Sequence, residues 1–167
     1  MKKTLSLAAL SAAMMSAPLA SQAATDTTTF DVLLTLIGSC TVSQADNLDF
    51  GTRTEAEVNT GGITATSTVG ITCSNNTTYT VGLSGTNGAR NMTSTNGSSV
   101  AYQLFQPDGS TAWDNASTVA GTGNSAQQDY TVNGTIPAQT MTLNAGDAPD
   151  GDTGISLSDT VTVTVTF

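Results

Sequence analysis

The sequence predicts an all-β fold, an immunoglobulin-like sandwich, and three observations carry the prediction. Apolar residues recur at every second position in run after run, from "TFDVLLTLI" near the start to the closing "TVTVTVTF", which is the period of a pleated strand with one buried face. Of the 144 residues that remain when a 23-residue leader is taken from the 167, 31 are threonine. A β-branched side chain loses rotamer freedom in a helix but sits well on a pleated surface. No segment after the leader keeps helical periodicity over three turns. About seven short strands and one cysteine pair favour the sandwich over a closed barrel, while strand spacing alone leaves a jelly roll open.

Residues 1–23 have the layout of a secretory signal peptide: Lys2 and Lys3, an apolar run from Leu5 to Ala17, then small residues at Ser21 and Ala23. Cleavage is expected after Ala23, with Ala24 as the alternative. The apolar run is short and rich in Ala and Ser, and nothing later approaches the roughly 20 apolar residues of a membrane span. Removing the leader takes both lysines, so Arg53 and Arg90 stand against 13 acids, a net charge of 2 − 13 = −11. Nucleic-acid affinity comes largely from cations neutralising phosphates, which excludes a nucleic-acid partner.

The strands follow in order. Residues 27–37 place Phe30, Val32, Leu34 and Leu36 on one face and Asp31, Leu33, Thr35 and Ile37 on the other. Residues 47–52 ("NLDFGT"), 62–73, 78–84, 100–106, 128–137 and 159–167 complete the series. "PDGS" at 107–110 supplies a turn, with Pro setting φ and Gly relieving strain, and the Asn-Gly pairs beginning at 87, 96 and 133 mark further turns or bulges. In the last strand Val161, Val163, Val165 and Phe167 share one face, and an uncovered final edge invites pairing with another chain.

Cys40 and Cys73 in an exported chain predict a structural disulfide. It closes a loop worth on the order of 3 to 4 kcal/mol if it acts on the entropy of the unfolded chain. The other reading, a reactive thiol pair, lacks C-x-x-C spacing and a neighbouring Lys or His to lower a thiol pKa.

With no histidine anywhere and no lysine after the leader, Ser-His-Asp, Cys-His, Ser-Lys and Schiff-base chemistry and histidine-ligated metals are excluded. Carboxylate chemistry remains, as with Glu55 and Glu57 beside Arg53, but a solvated charged loop is the simpler reading. Asp147, Asp150 and Asp152 could offer oxygens to calcium, yet the spacing fails the EF-hand pattern and a polar loop is expected. No enzyme, cofactor or metal is therefore expected.

"GSCTV" after an alternating strand, "LDFGT", "ITCSNNTTYTVGLS", "ARNM", "VAYQLFQPDGSTAW", "NGTIP" and the closing "SDTVTVTVTF" occur in the order seen in the spore coat protein U domain family. That family includes the pilins of archaic chaperone–usher pili, and the resemblance covers essentially the whole chain after the leader. One departure is Leu157, where related sequences often carry an aromatic.

The resemblance implies a sandwich lacking its last strand, residues 39–167, preceded by an N-terminal donor extension, residues 24–38. A periplasmic chaperone would lend a strand to the open groove, and at an outer-membrane usher the extension of a neighbouring pilin subunit would replace it. Phe30, Val32, Leu34 and Leu36 would then be the donor side chains, with Gly38 as a hinge, and the edge carrying Val161, Val163, Val165 and Phe167 would be gripped by the chaperone. The alternative is that residues 27–37 fold back as the first strand of their own domain. The function implied is a structural subunit of a surface fibre, in the shaft or as an adaptor, supporting adhesion and biofilm. A secreted coat or matrix protein of the same family and a monomeric extracellular carbohydrate-binding module are the alternatives.

Overall fold

The computed structural model describes residues 24–147 and 154–167. The leader and the aspartates at 150 and 152 lie outside the described residues. The chain divides between Thr35 and Leu36, and the two parts are taken separately.

The body is nearly all β. Its elements are β1 (Cys40–Ala45), α1 (Glu55–Thr60), β2 (Ile63–Cys73), β3 (Thr78–Leu83), β4 (Asn91–Thr93), β5 (Ser99–Ala101), β6 (Gln103–Phe105), β7 (Val119–Thr122), β8 (Gln127–Ile136) and β9 (Val163–Thr166). One sheet has the order β1-β2-β8-β6, a second β7-β3-β9, and β4 and β5 form a hairpin of their own. All pairs are antiparallel.

The core lies between the two larger sheets, which several contacts tie together. Trp113 is fully buried; its backbone N–H donates to Leu104 O of β6 and its indole Nε1–H to Val81 O of β3, both at 2.9 Å. The hydroxyls of Tyr79 on β3 and Tyr130 on β8 meet at 2.7 Å, and the Tyr130 ring stands edge-on to Trp113. These polar tips find partners inside the sandwich, which is what lets large amphipathic side chains sit there.

The expected strands at 62–73, 78–84 and 128–137 appear with ends shifted by a residue or so. Three expectations need correction. Residues 47–52 form no strand but cross the mouth of the sandwich, with Phe50 buried against Tyr102. The run 100–106 is two short strands that change partner at Tyr102: β5 pairs with β4, in register with which Tyr102 N–H donates to Arg90 O at 3.1 Å, and β6 pairs with β8. Asn133-Gly134 is neither a turn nor a bulge: it lies within β8 in unbroken register with β2, and the Leu48 side chain packs over Gly134, where a Cβ would stand 2.8 Å from Leu48 Cδ1. The turn at 107–110 does form, with Asp108 Oδ1 accepting from Ser110 and Thr111 N–H, both at 2.9 Å.

Asp147, which is 4% exposed, ties its loop to the β4–β5 hairpin. It accepts from the Ser94 hydroxyl, from Asn96 Nδ2 at 2.9 Å and from Ser98 N–H. These bonds, the Ser94 hydroxyl's first, hold its carboxyl down at about 2, against an ordinary 3.8. A carboxylate with a lowered folded pKa stabilises fully above the unfolded value, and the contribution fades as pH falls through the folded one. The protection factor of the Ser98 amide, its exchange corrected for the intrinsic rate at each pH, should therefore fall as pH is lowered from about 4 to about 2. Asp147→Asn should remove that pH dependence; an identical profile in the variant counts against the assignment.

Candidate functional site

Burial falls away at two strand edges that face one another. In the first sheet Ile71 of β2 is 0% exposed, whereas Val42, its register partner on β1, is 38% exposed. In the second sheet Val81 and Leu83 of β3 are 0% and 1% exposed, while their partners Val165 and Val163 on β9 are only half-buried. Directly paired residues on antiparallel strands point to the same face, so these are inward-pointing side chains lacking a cover. β1 and β9 approach within 8 Å between Cα atoms, and beyond them the edges separate.

Where they separate, an apolar cleft opens onto the core. One lobe, of about 560 Å³, lies between residues 45–50 and 157–163, with buried Leu83, Tyr102, Leu104 and Val132 as its floor. A second, of about 510 Å³, lies between residues 48–58 and 154–157 over Val100, Ile136 and Met141. Leu48, Phe50, Met92 and Leu157 line both lobes, so the two form one elongated trough. Leu157, the departure noted in the sequence, thus stands at the waist of the trough, half-buried.

The final strand is shorter than expected. The strand begins at Val163 rather than at 159, with one further main-chain bond from Ser84 N–H to Thr162 O, and Asp159 accepts from the Tyr102 hydroxyl at 2.6 Å. Burial, and after it the hydrogen bond to Asp159, pushes the Tyr102 pKa far up, so that hydroxyl remains a donor. Val161, Val163 and Val165 project toward the core half-buried, and Phe167 is 61% exposed.

The cysteine pair is a disulfide joining register partners Cys40 and Cys73. It pins the first residue of β1, which borders the cleft, to the last residue of the long strand β2. β1 itself was not expected from its polar sequence, CTVSQA; its pairing with β2 overrides that weak preference.

Residues 24–39 form no strand, contrary to the expectation for 27–37. A strand exists only with a ladder partner, and here Phe30, Val32, Leu34 and Leu36 are 81–85% exposed, as are Leu33 and Ile37 at 87% and 86%. Gly38 does not adopt a glycine-only φ; it approaches Thr77 so closely that a Cβ would lie 2.7 Å from Oγ1. Next to it Ser39 is held to Ser74 through both main-chain and hydroxyl bonds.

The carboxylates serve local structure. Thr54 caps α1, and Glu57 Oε2 accepts from Thr54 N–H at 2.7 Å and from its hydroxyl at 2.8 Å. These bonds lower the Glu57 pKa and place Glu55 and Glu57 on a short helix, not on a strand face or an open loop. The signal for it was present as Thr-x-x-Glu, the capping-box spacing. Among the described residues no group of three His, Cys, Asp or Glu side chains gathers where a metal could be held.

A family model for the Spore Coat Protein U domain matches residues 26–164. Among solved structures, the chain is similar to one in the crystal structure of the CsuC-CsuE chaperone-tip adhesion subunit pre-assembly complex from archaic chaperone-usher Csu pili of Acinetobacter baumannii. The identity is 26% and the TM-score 0.52; the likeness covers 80% of this chain and 40% of that one. None of the curated proteins compared with the chain matches it.

Proposed function

The chain belongs to the Spore Coat Protein U domain family, and from that premise we propose that it is a structural subunit of a chaperone–usher surface fibre, assembled by donor-strand exchange. The observation that carries the reading is the apolar trough between residues 45–58, which follow β1, and residues 154–163, which lead into β9, opening directly onto the core. A sandwich in that condition lacks a strand, and residues 24–38 of a second copy have the right chemistry to supply one. Phe30, Val32, Leu34 and Leu36 entering the trough bury on the order of 6 to 12 kcal/mol of apolar surface before ordering costs are met. Main-chain hydrogen bonds to the free edges add affinity, and side-chain pockets add selectivity.

On this reading residues 39–167 are the pilin domain and residues 1–23 the leader. A periplasmic chaperone covers the edge of Val161, Val163, Val165 and Phe167 until an outer-membrane usher brings the next subunit. The fibre stands at the cell surface, where it supports adhesion and biofilm. The role is structural, and none of its steps makes or breaks a covalent bond.

Deleting residues 27–37 tests it. The shortened chain, refolded oxidised from denaturant, should keep its β-sheet circular dichroism yet form no oligomers by light scattering under conditions where the full mature chain does. Oligomers of undiminished length would sink the proposal, and so would collapse of the body, which would make the segment a strand of its own domain.

A further inference from the structure

Arg90 is one of two arginines in the chain and is 3% exposed. Its guanidinium is held by neutral oxygens: Nε and Nη2 donate to Ser84 O at 3.0 and 2.8 Å, Nη2 also to Gly85 O at 3.2 Å and Trp113 O at 2.9 Å, and Nη1 to Asn87 Oδ1 at 2.8 Å. Burial pulls its pKa down from the usual arginine value. These hydrogen bonds all go to neutral groups, and the carboxylates of Asp114 and Asp159 act on the guanidinium only through space; a charge buried in this way is costly to keep, so its position asks for a reason.

The lip of the trough, residues 157–163, gives one. Ser84 and Thr162 hold each other, with Ser84 N–H donating to Thr162 O at 2.9 Å and Thr162 N–H to Ser84 Oγ at 2.8 Å. Three residues earlier, Asp159 is held by the Tyr102 hydroxyl, and Tyr102 N–H donates to Arg90 O at 3.1 Å. Both attachments lead back to one residue: the side chain of Arg90 fixes Ser84, and its carbonyl fixes Tyr102. The lip is also tied by the Ser158–Thr93 bridge, on the far side of Asp159, and at its other end by Val163 in the β3–β9 ladder.

We infer that Arg90 is the positioning residue of the acceptor cleft, setting the lip at Asp159 and Thr162 in the place where an incoming donor strand of a second copy must pair. The inference rests on the donor-strand reading for its purpose, though not for its geometry. A lip held in advance loses less freedom when the strand arrives, which is the general advantage of preorganisation. Arginine suits the task because its planar fork reaches several carbonyls at once; lysine offers a point charge with three donors.

The test is made in the full-length mature chain carrying Leu34→Asp, which keeps its cleft but cannot fill a neighbour's, and compares it with and without Arg90→Lys or Tyr102→Phe, the last being a mild variant that removes only the hydroxyl. Hydrogen exchange is read at the amides of 160–163 and, as reference, at the β2–β8 ladder. Dissociation of a labelled synthetic peptide copying residues 26–38 is read in parallel. Both variants should speed lip exchange about tenfold or more while the β2–β8 amides hold their rates, and the peptide should leave correspondingly faster. Unchanged lip exchange, or equal acceleration in lip and ladder, would overturn the assignment, the latter making Arg90 merely structural. A peptide that fails to bind the chain bearing Leu34→Asp alone would instead overturn the donor-strand reading, while the exchange result still decides whether Arg90 sets the lip.

Discussion

A chain carrying Leu34→Asp and a second carrying Val161→Asp should each remain monomeric, and mixing them in equal amounts should give dimers and nothing longer. The first retains a cleft but cannot donate; the second can donate but has a charge at its own cleft. Val161 lies outside the β9 ladder, so its replacement leaves the register of Val163 and Val165 with β3 intact. Each substitution loses about 1.5 to 3 kcal/mol of apolar burial and adds a desolvation penalty of several kcal/mol for an unpaired carboxylate. Together these amount to at least a thousandfold loss of pairing by the usual conversion of about 1.4 kcal/mol per decade. Size-exclusion chromatography with light scattering reads the result. Polymers from either variant alone would show that the trough does not take the segment; a mixture that stays monomeric would show the same.

The second large effect is expected inside the body. Trp113→Ala should destabilise the oxidised chain by about 3 to 5 kcal/mol, the range for removing a fully buried large aromatic. Trp113→Phe should recover part of that by refilling volume, yet it leaves Val81 O without its donor, at about 1 to 3 kcal/mol. The effect should appear as ordered shifts in the urea midpoint, wild type above Phe above Ala. Equal midpoints for Phe and wild type would mean that the indole hydrogen bond between the two sheets contributes nothing.

How much of this was legible beforehand follows from where the forces act. The long strands β2, β3 and β8 are written in their own alternation, since each has an inward face covered by the opposing sheet. The segment 27–37 carries the same alternation and forms no strand here, because period announces which face wants burial but not which chain will provide it. β1 and β7 were missed for the opposite reason: CTVSQA and VAGT are weak alone, and neighbours in the sheet hold them. The valines at 161, 163 and 165 were found as a face. The trough that Val161 and Val163 border was not, since most of its other wall, residues 45–50, was read as a strand at 47–52 and takes its place only when Phe50 packs on Tyr102. Arg90 was invisible as a positioning residue: its meaning lies in the carbonyls of Ser84, Gly85 and Trp113, which no side-chain pattern encodes.

The place of the disulfide has a mechanical consequence. In a fibre joined through residues 24–38, tension enters each subunit along the stretch leading to Cys40, and the bond to Cys73 hands that pull straight to a central strand. The 33 positions separating the two cysteines, about 110 Å of chain when drawn out, are shielded from the load. An oxidised subunit therefore cannot be unravelled from its leading end by peeling β1 away, and the wall that grips the next molecule's strand keeps its shape while the filament is stretched.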